Sequence, residues 1–375
     1  MKTILIKNAK IFIDTEHDRL FTGDLLIKNG LIKEISRKIE MEADEVIDAT
    51  GKYVSPGFID IHTHCYPIGK LGMNPDELGV ERWSSTIVDA GTSGANTFED
   101  FKANHIDNAK TKVFALLNLS GDGLKEGHEL DSLEKLESDK VRELVKKYPE
   151  TIVGLKARAS KSVVGKLGIL PIKLTVELAY ELNVPIMVHV GNYPPALTEV
   201  LDCLHKGDMI THAFHGKPGG LIQNGEILPE AIKARERGVL FDVGHGEESF
   251  SFNTYKKAKK LGFDCDSISS DLHTGNYQGP VFSQLLCVNK LLNCGNSLSK
   301  VIDLTTRRPA ENLHLKGLGK LEVGTIGDVF IFDYIDANEI VKDSMGNTLR
   351  ITKKIEPVKL IISKGEQSEI LSAND

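Results

Sequence analysis

Short apolar runs recur through the middle of the chain, and stretches with apolar residues on one helical face separate most of them. The runs occupy residues 57–62, 86–89, 112–119, 151–156, 185–190, 208–212, 239–243 and 266–271. The pattern between them predicts helices, for example over 132–148, 173–182, 229–236 and 254–261. Strands that alternate with helices pair in parallel and are covered on both faces, so they read as continuous apolar runs. Eight such units predict an α/β fold, a closed (β/α)8 TIM barrel. The competing architecture is an open doubly wound sheet. No Gly-x-Gly-x-x-Gly turn follows an early strand, which argues against it.

The two ends of the chain obey a different rhythm. Residues 3–7 alternate, residues 23–35 read as two strands around an Asn29-Gly30 turn, and 45–48 form another short strand. Residues 327–332 and 358–363 are strand-like at the other end. Neither set closes a core alone. The expectation is therefore one composite β-sandwich domain, 1–55 plus 313–375, beside a barrel over 56–312. Two separate terminal appendages are the alternative.

Composition narrows the class. The chain has 375 residues, 41% of them hydrophobic, enough for a large core. Lys plus Arg number 46 against 53 Asp plus Glu, a net charge of −7. Nucleic-acid binders usually carry a basic excess, so no nucleic-acid partner is expected. The cysteines, Cys65, Cys203, Cys265, Cys287 and Cys294, are odd in number and scattered. That suits a reducing cytoplasm better than a disulfide framework. The first residues lack the apolar core and cleavage site of a signal peptide. No run approaches the ~18 apolar residues of a membrane helix, so no membrane association is expected.

The chemistry gathers at the ends of the predicted strands. The first ends in His62 and His64, whose i, i+2 spacing sends both side chains to one side of a strand. The fourth ends in Lys156, the fifth in His189, the sixth in His212 and the eighth in Asp271. Each has an ordinary reading alone: a packed or hydrogen-bonded histidine, a snorkelling lysine, an aspartate capping a turn. In a barrel these ends converge on one mouth, and six metal-compatible groups on five strand ends point to a metal site. Pro194-Pro195 and Pro218-Gly219-Gly220 mark long loops on the same side. Alternation turns Cys65 away from the histidine pair, so it is expected to pack. His17, His105, His128, His205 and His314 fall outside strand ends and are expected on the surface.

The segment Pro56-Gly57-Phe58-Ile59-Asp60-Ile61-His62-Thr63-His64, followed by Lys, His, His and Asp at later strand ends, resembles the amidohydrolase superfamily. Within it the chain is similar to the deacetylase-like, dihydroorotase-like branch. The resemblance implies two divalent metals, usually zinc, bridged by a carbamate formed from carbon dioxide on Lys156. One metal would be held by His62, His64, Lys156 and Asp271, the other by Lys156, His189 and His212. A bridging hydroxide would attack, with Asp271 taking its proton and passing it to the leaving group. No Gly-x-Ser-x-Gly elbow suggests a serine nucleophile instead.

Substrate contacts are expected from Arg158, His245, His273, Asn192 and Tyr193. Arg158 lies two residues beyond Lys156 and either grips a substrate carboxylate or forms a rim salt bridge. His245 sits between glycines and could steady the oxyanion or simply occupy a loop. His273 could orient Asp271, Tyr193 could equally pack, and His215 is expected to be a loop contact. The favoured reaction is hydrolysis of a small N-acetyl or O-acetyl, carboxylate-bearing molecule. A cyclic amide hydrolase of dihydroorotase type and a catalytically inactive scaffold relative are the alternatives. A single-metal deaminase would lack the bridging lysine. Homo-oligomers are common in the family, so one is an inherited expectation.

Overall fold

The computed structural model describes residues 2–373. Seven parallel strands lie side by side in chain order: Phe58–Thr63, Ser84–Gly94, Lys112–Asn118, Ile152–Ala159, Ile186–Val190, Met209–Thr211 and Leu240–Phe241. The eighth position is filled by residues 266–272, which join both edges through parallel bridges, Asp242 with Ser267 and Thr63 with Leu272. The ring is thereby closed, a (β/α)8 TIM barrel. The eighth segment is less regular than its apolar pattern predicts. Its Ser267, Ser269 and Ser270 hydroxyls turn to the buried carboxylates of Asp242 and Asp60. Asp271 then takes a left-handed backbone with φ of 56°.

The outer helices follow the predicted pattern with shifted ends. The helix expected over 132–148 is Ser138–Lys147, since a single turn at Leu133–Lys135 is followed by extended Leu136. Its Val141, Leu144 and Val145 face the barrel. The helix expected over 173–182 begins earlier, at Leu170, with Pro171 in the first turn, where a missing N–H costs nothing. Pro229–Glu236 matches its predicted bounds. Phe252–Lys260 is capped by the Ser251 hydroxyl. No helix among the described residues is long and apolar enough to cross a membrane.

The termini build one separate sheet of eight strands. Tyr53–Pro56 stands between the two ends of the chain, pairing with Thr3–Asp14 on one side and with Val329–Lys342 on the other. The sheet bends back on itself, so that the Gly327 N–H reaches the Gly30 carbonyl at 2.8 Å. Ile4, Ile6, Ile11, Leu25 and Ile27 pack inside it against Val54, Val329, Ile331 and Ile361, which gives the sandwich its core. The hairpin of Val329–Lys342 and Thr348–Lys364 is far longer than predicted. Its tip reaches the barrel mouth, where Asp343 accepts the Phe252 N–H at 2.8 Å and the Ser344 hydroxyl donates to the Gly246 carbonyl at 2.7 Å.

Candidate metal centre

The strand ends bring His62, His64, Lys156, His189 and Asp271 onto one cavity of about 270 Å³. His212 joins them from behind, its ring 4.4 Å from that of His189 and 5.0 Å from that of His62. One Asp271 oxygen lies 3.2 Å from His62 Nε2 and 3.0 Å from His64 Nε2, and the other lies 3.8 Å from His212 Nε2. His62, His64 and Asp271 each offer a donor atom, all within 4.8 Å of one another. His212 and Asp271 both hold left-handed backbone, φ 65° and 56°, conformations that non-glycine residues keep only where the surroundings impose them.

Lys156 is completely buried. Its amine meets His62 Nε2 at 3.1 Å and Met187 Sδ at 3.4 Å, and no oxygen among the described residues accepts from it. The side chain passes over Gly91, where any Cβ would sit 2.7 Å from Lys156 Cγ. Burial brings the amine down to about 7, with the Arg158 charge assisting and the Asp271 charge opposing. Burial likewise holds His62 and His189 well below the ordinary imidazole value and His212 at about 4. For Asp271 burial alone would raise the carboxyl, but His62, the His64 hydrogen bond and His212 hold it well below the usual carboxylate range.

These protonation states decide what the cluster can hold. His212 Nδ1 lies 2.6 Å from the Gly244 carbonyl, which can only accept, so its proton sits there. His212 Nε2 is then a bare lone pair, buried and without a hydrogen-bond partner among the described residues. His62 Nδ1 is engaged by Thr211 at 2.8 Å, and His64 Nδ1 by Thr92 at 2.8 Å. Lone pairs on His62 and His212 thus face the Asp271 carboxylate, an arrangement of acceptors that a cation would relieve. Imidazole nitrogens with a carboxylate are a donor set suited to divalent metals.

The other expected site residues divide into groups. Arg158, Asn192 and His273 line the same cavity. Arg158 is locked by a two-pronged pair with buried Glu129, both contacts at 2.6 Å, which leaves Nη1 without a protein hydrogen bond among the described residues. His273 Nδ1 accepts the Gly275 N–H at 3.0 Å. Tyr193 is 70% exposed and lines, with His215, a neighbouring cavity of about 300 Å³. His245 is buried behind the mouth. Its Nε2 meets the Lys290 amine at 2.9 Å and its Nδ1 the Gly246 carbonyl at 3.1 Å. Cys65 is buried outside the cluster, and burial pushes its thiol up. His17, His128, His205 and His314 are exposed, and His105 is half-buried.

Sequence reasoning missed Glu129, Ser160, Thr211 and Asp242. Ser160 lines the cavity with a buried hydroxyl that lacks a partner among the described residues. Asp242 did carry a signal, an acidic residue inside an apolar run, whereas Glu129 sits in a loop with no periodicity to mark it.

The profile of the Amidohydrolase family matches residues 53–367. The chain is 38% identical over 360 residues to a protein of Enterococcus faecalis named deacetylase, covering 90% of this chain and 97% of that one. A solved structure described as an adenine deaminase superposes with a TM-score of 0.91 at 36% identity, covering 98% of this chain and 99% of the other. One described as a dihydroorotase gives 0.91 at 33% identity, covering 99% and 98%.

Proposed function

The chain belongs to the amidohydrolase family and is a metal-dependent hydrolase, and from that premise we propose that it cleaves an acyl group from a small, carboxylate-bearing N-acetyl or O-acetyl molecule. The reading rests above all on Lys156, a buried amine without an oxygen acceptor, set among His62, His189, His212 and Asp271. His62, His64, Asp271 and carboxylated Lys156 would hold one divalent ion, and Lys156, His189 and His212 a second, both zinc. Such ions supply an activated water and a Lewis acid for the scissile carbonyl.

The protein's own groups do the rest. An amine brought to about 7 is substantially neutral at physiological pH, the form that adds to carbon dioxide. Asp271, held anionic, receives the proton released as the acyl carbon gains its oxygen. It returns that proton to the departing nitrogen or oxygen as the acyl bond breaks. Arg158 lines the cavity and is fixed by Glu129 through Nε and Nη2, and its Nη1 would take the substrate carboxylate. The named deacetylase relative supports acyl cleavage. The likeness to a structure described as a dihydroorotase favours a second reading, opening of a cyclic amide.

Elemental analysis of protein purified without chelator, followed by a screen of N-acetyl amino acids, O-acetyl hydroxy acids and dihydroorotate, tests the proposal. About two divalent ions per chain and acyl cleavage are expected. A chain that takes up no divalent ion sinks the metal reading. Turnover of dihydroorotate without acyl cleavage replaces the substrate.

A further inference from the structure

The seventh barrel strand supplies none of the six proposed metal-facing side chains, yet its end meets His212 through the Gly244 carbonyl and reaches His62 through Thr211. Asp242 follows that strand and is completely buried. One of its oxygens accepts from the Ser267 hydroxyl at 2.6 Å. The other accepts from Thr211 at 2.7 Å and from Ser269 at 2.5 Å. Ser269 Oγ itself accepts the Gly244 N–H at 3.1 Å, so its own proton is free for the carboxylate.

A hydroxyl has one proton to give. With that proton on Asp242, Thr211 Oγ1 can only accept from His62 Nδ1, 2.8 Å away. His62 must then carry its proton on Nδ1 and leave Nε2 bare toward Asp271 and Lys156. Two residues on, the Gly244 carbonyl imposes the same tautomer on His212. Glycine is needed there: a Cβ at 244 would lie 2.1 Å from Thr211 Oγ1 and 2.9 Å from His212 Nδ1, and φ is +47°.

We propose that Asp242 is a positioning residue that acts through Thr211 to fix His62 in the Nδ1–H tautomer and aim its Nε2 at the metal. The proposal rests on the reading of His62 as a metal-holding residue. A carboxylate behind a histidine commonly fixes its ring and raises its basicity; here a threonine hydroxyl carries that influence across the barrel. The arrangement accounts for a buried carboxylate with three hydroxyl donors and, among the described residues, no paired cation. It also gives the seventh strand a role in the centre without a ligand of its own.

The test compares Thr211→Val, Thr211→Ser and Ser267→Ala with the wild-type chain. One measurement is the ¹⁵N spectrum of the histidine rings in metal-free protein, with His62 assigned through His62→Gln. The other is Zn²⁺ affinity by chelator competition. In Thr211→Val the His62 ring is expected to lose its single tautomer, and Zn²⁺ affinity to fall roughly tenfold to a hundredfold. Thr211→Ser restores both. Ser267→Ala removes a hydroxyl from the same carboxylate but spares the Thr211 bond, so it changes neither. Wild-type affinity or an unchanged tautomer in Thr211→Val overturns the proposal. So does failure of Thr211→Ser to restore them, or an equal loss in Ser267→Ala. If the wild-type chain takes up no Zn²⁺ at all, the functional reading fails, and the metal-free spectra still decide the relay.

Discussion

Among the described residues two lysines are fully buried, and each sets its amine against a histidine Nε2. Lys156 meets His62 at 3.1 Å and Lys290 meets His245 at 2.9 Å. Burial depresses both amines. They differ in what else surrounds them. Lys290, on the helix Gln284–Leu292, also donates to the Pro280 carbonyl at 2.7 Å, and its histidine turns the other ring nitrogen to the Gly246 carbonyl. Lys156 has only a thioether, a weak acceptor, as its further partner, and it opens on a cavity with Asp271 and His189. Burial and a depressed amine do not by themselves mark a reactive lysine. Hydrogen-bonding capacity left unmet at a cavity does, because a closed structure would have satisfied it.

The sharpest way to break this contrast is to remove the amine at the cavity. Lys156→Ala is expected to lose turnover by on the order of a thousandfold or more, the scale seen when an electrostatic contributor to a transition state is deleted. A short carboxylate added to the variant should restore part of the rate by standing in for the oxygens of the proposed carbamate. Full activity without any addition would remove the bridging role. The histidines extend the comparison. His62→Gln is expected to weaken Zn²⁺ binding by at least roughly a hundredfold and His245→Gln to leave it near wild type, read by chelator competition. Equal losses would place His245 in the centre.

The contrast also shows where sequence stops informing. His62, His64, His189 and Asp271 were legible because strand periodicity and barrel closure send strand ends to one mouth. Lys290 was not. It lies on a helix, and nothing in its spacing announces that a loop carbonyl and His245 will meet it. Arg158 was found by its spacing from Lys156, but Glu129, 29 residues earlier in a loop, becomes its partner only in three dimensions. Asn192 and Tyr193 are adjacent, yet one lines the metal cavity and the other its neighbour, a difference that depends on loop path. The hairpin runs far past Phe332, where the sequence predicts its end because the exposed, charged residues beyond lack an apolar face that would mark a strand, and its Asp343–Ser344 tip is anchored by contacts with the barrel.

A smaller effect sharpens the comparison through pH. In metal-free protein the unfolded chain keeps the Lys156 proton up to the ordinary lysine value of 10.5, whereas the folded chain releases it near 7. Between these values the unfolded state binds more protons, so folding stability rises with pH across the window. Lys156→Met lacks the group, while Lys290 is common to both proteins and cancels. The stability of wild type relative to Lys156→Met should therefore climb from pH 7 to 10.5, by at most about 1.4 kcal/mol per pH unit. Urea unfolding at a series of pH values measures it, and a flat difference would mean that the folded amine titrates normally.

The least disruptive change is expected at the other lysine. Lys290→Met keeps the length of the side chain and removes its donor, leaving His245 Nε2 and the Pro280 carbonyl unpaired. Unsatisfied buried acceptors cost about 1–3 kcal/mol, and loss of a buried amine offsets part of that. The variant should unfold at a lower denaturant concentration while its metal content and turnover stay at wild-type levels. His245 and the Ser344 hydroxyl both contact Gly246, and Gly246 in turn packs close to Asp271, where a Cβ would lie 2.8 Å from its carboxylate. That path is one way a purely structural lysine could reach the centre. If Lys290→Met loses turnover on the scale expected of Lys156→Ala, the loop behind Asp271 transmits the change, and the two buried amines serve one site.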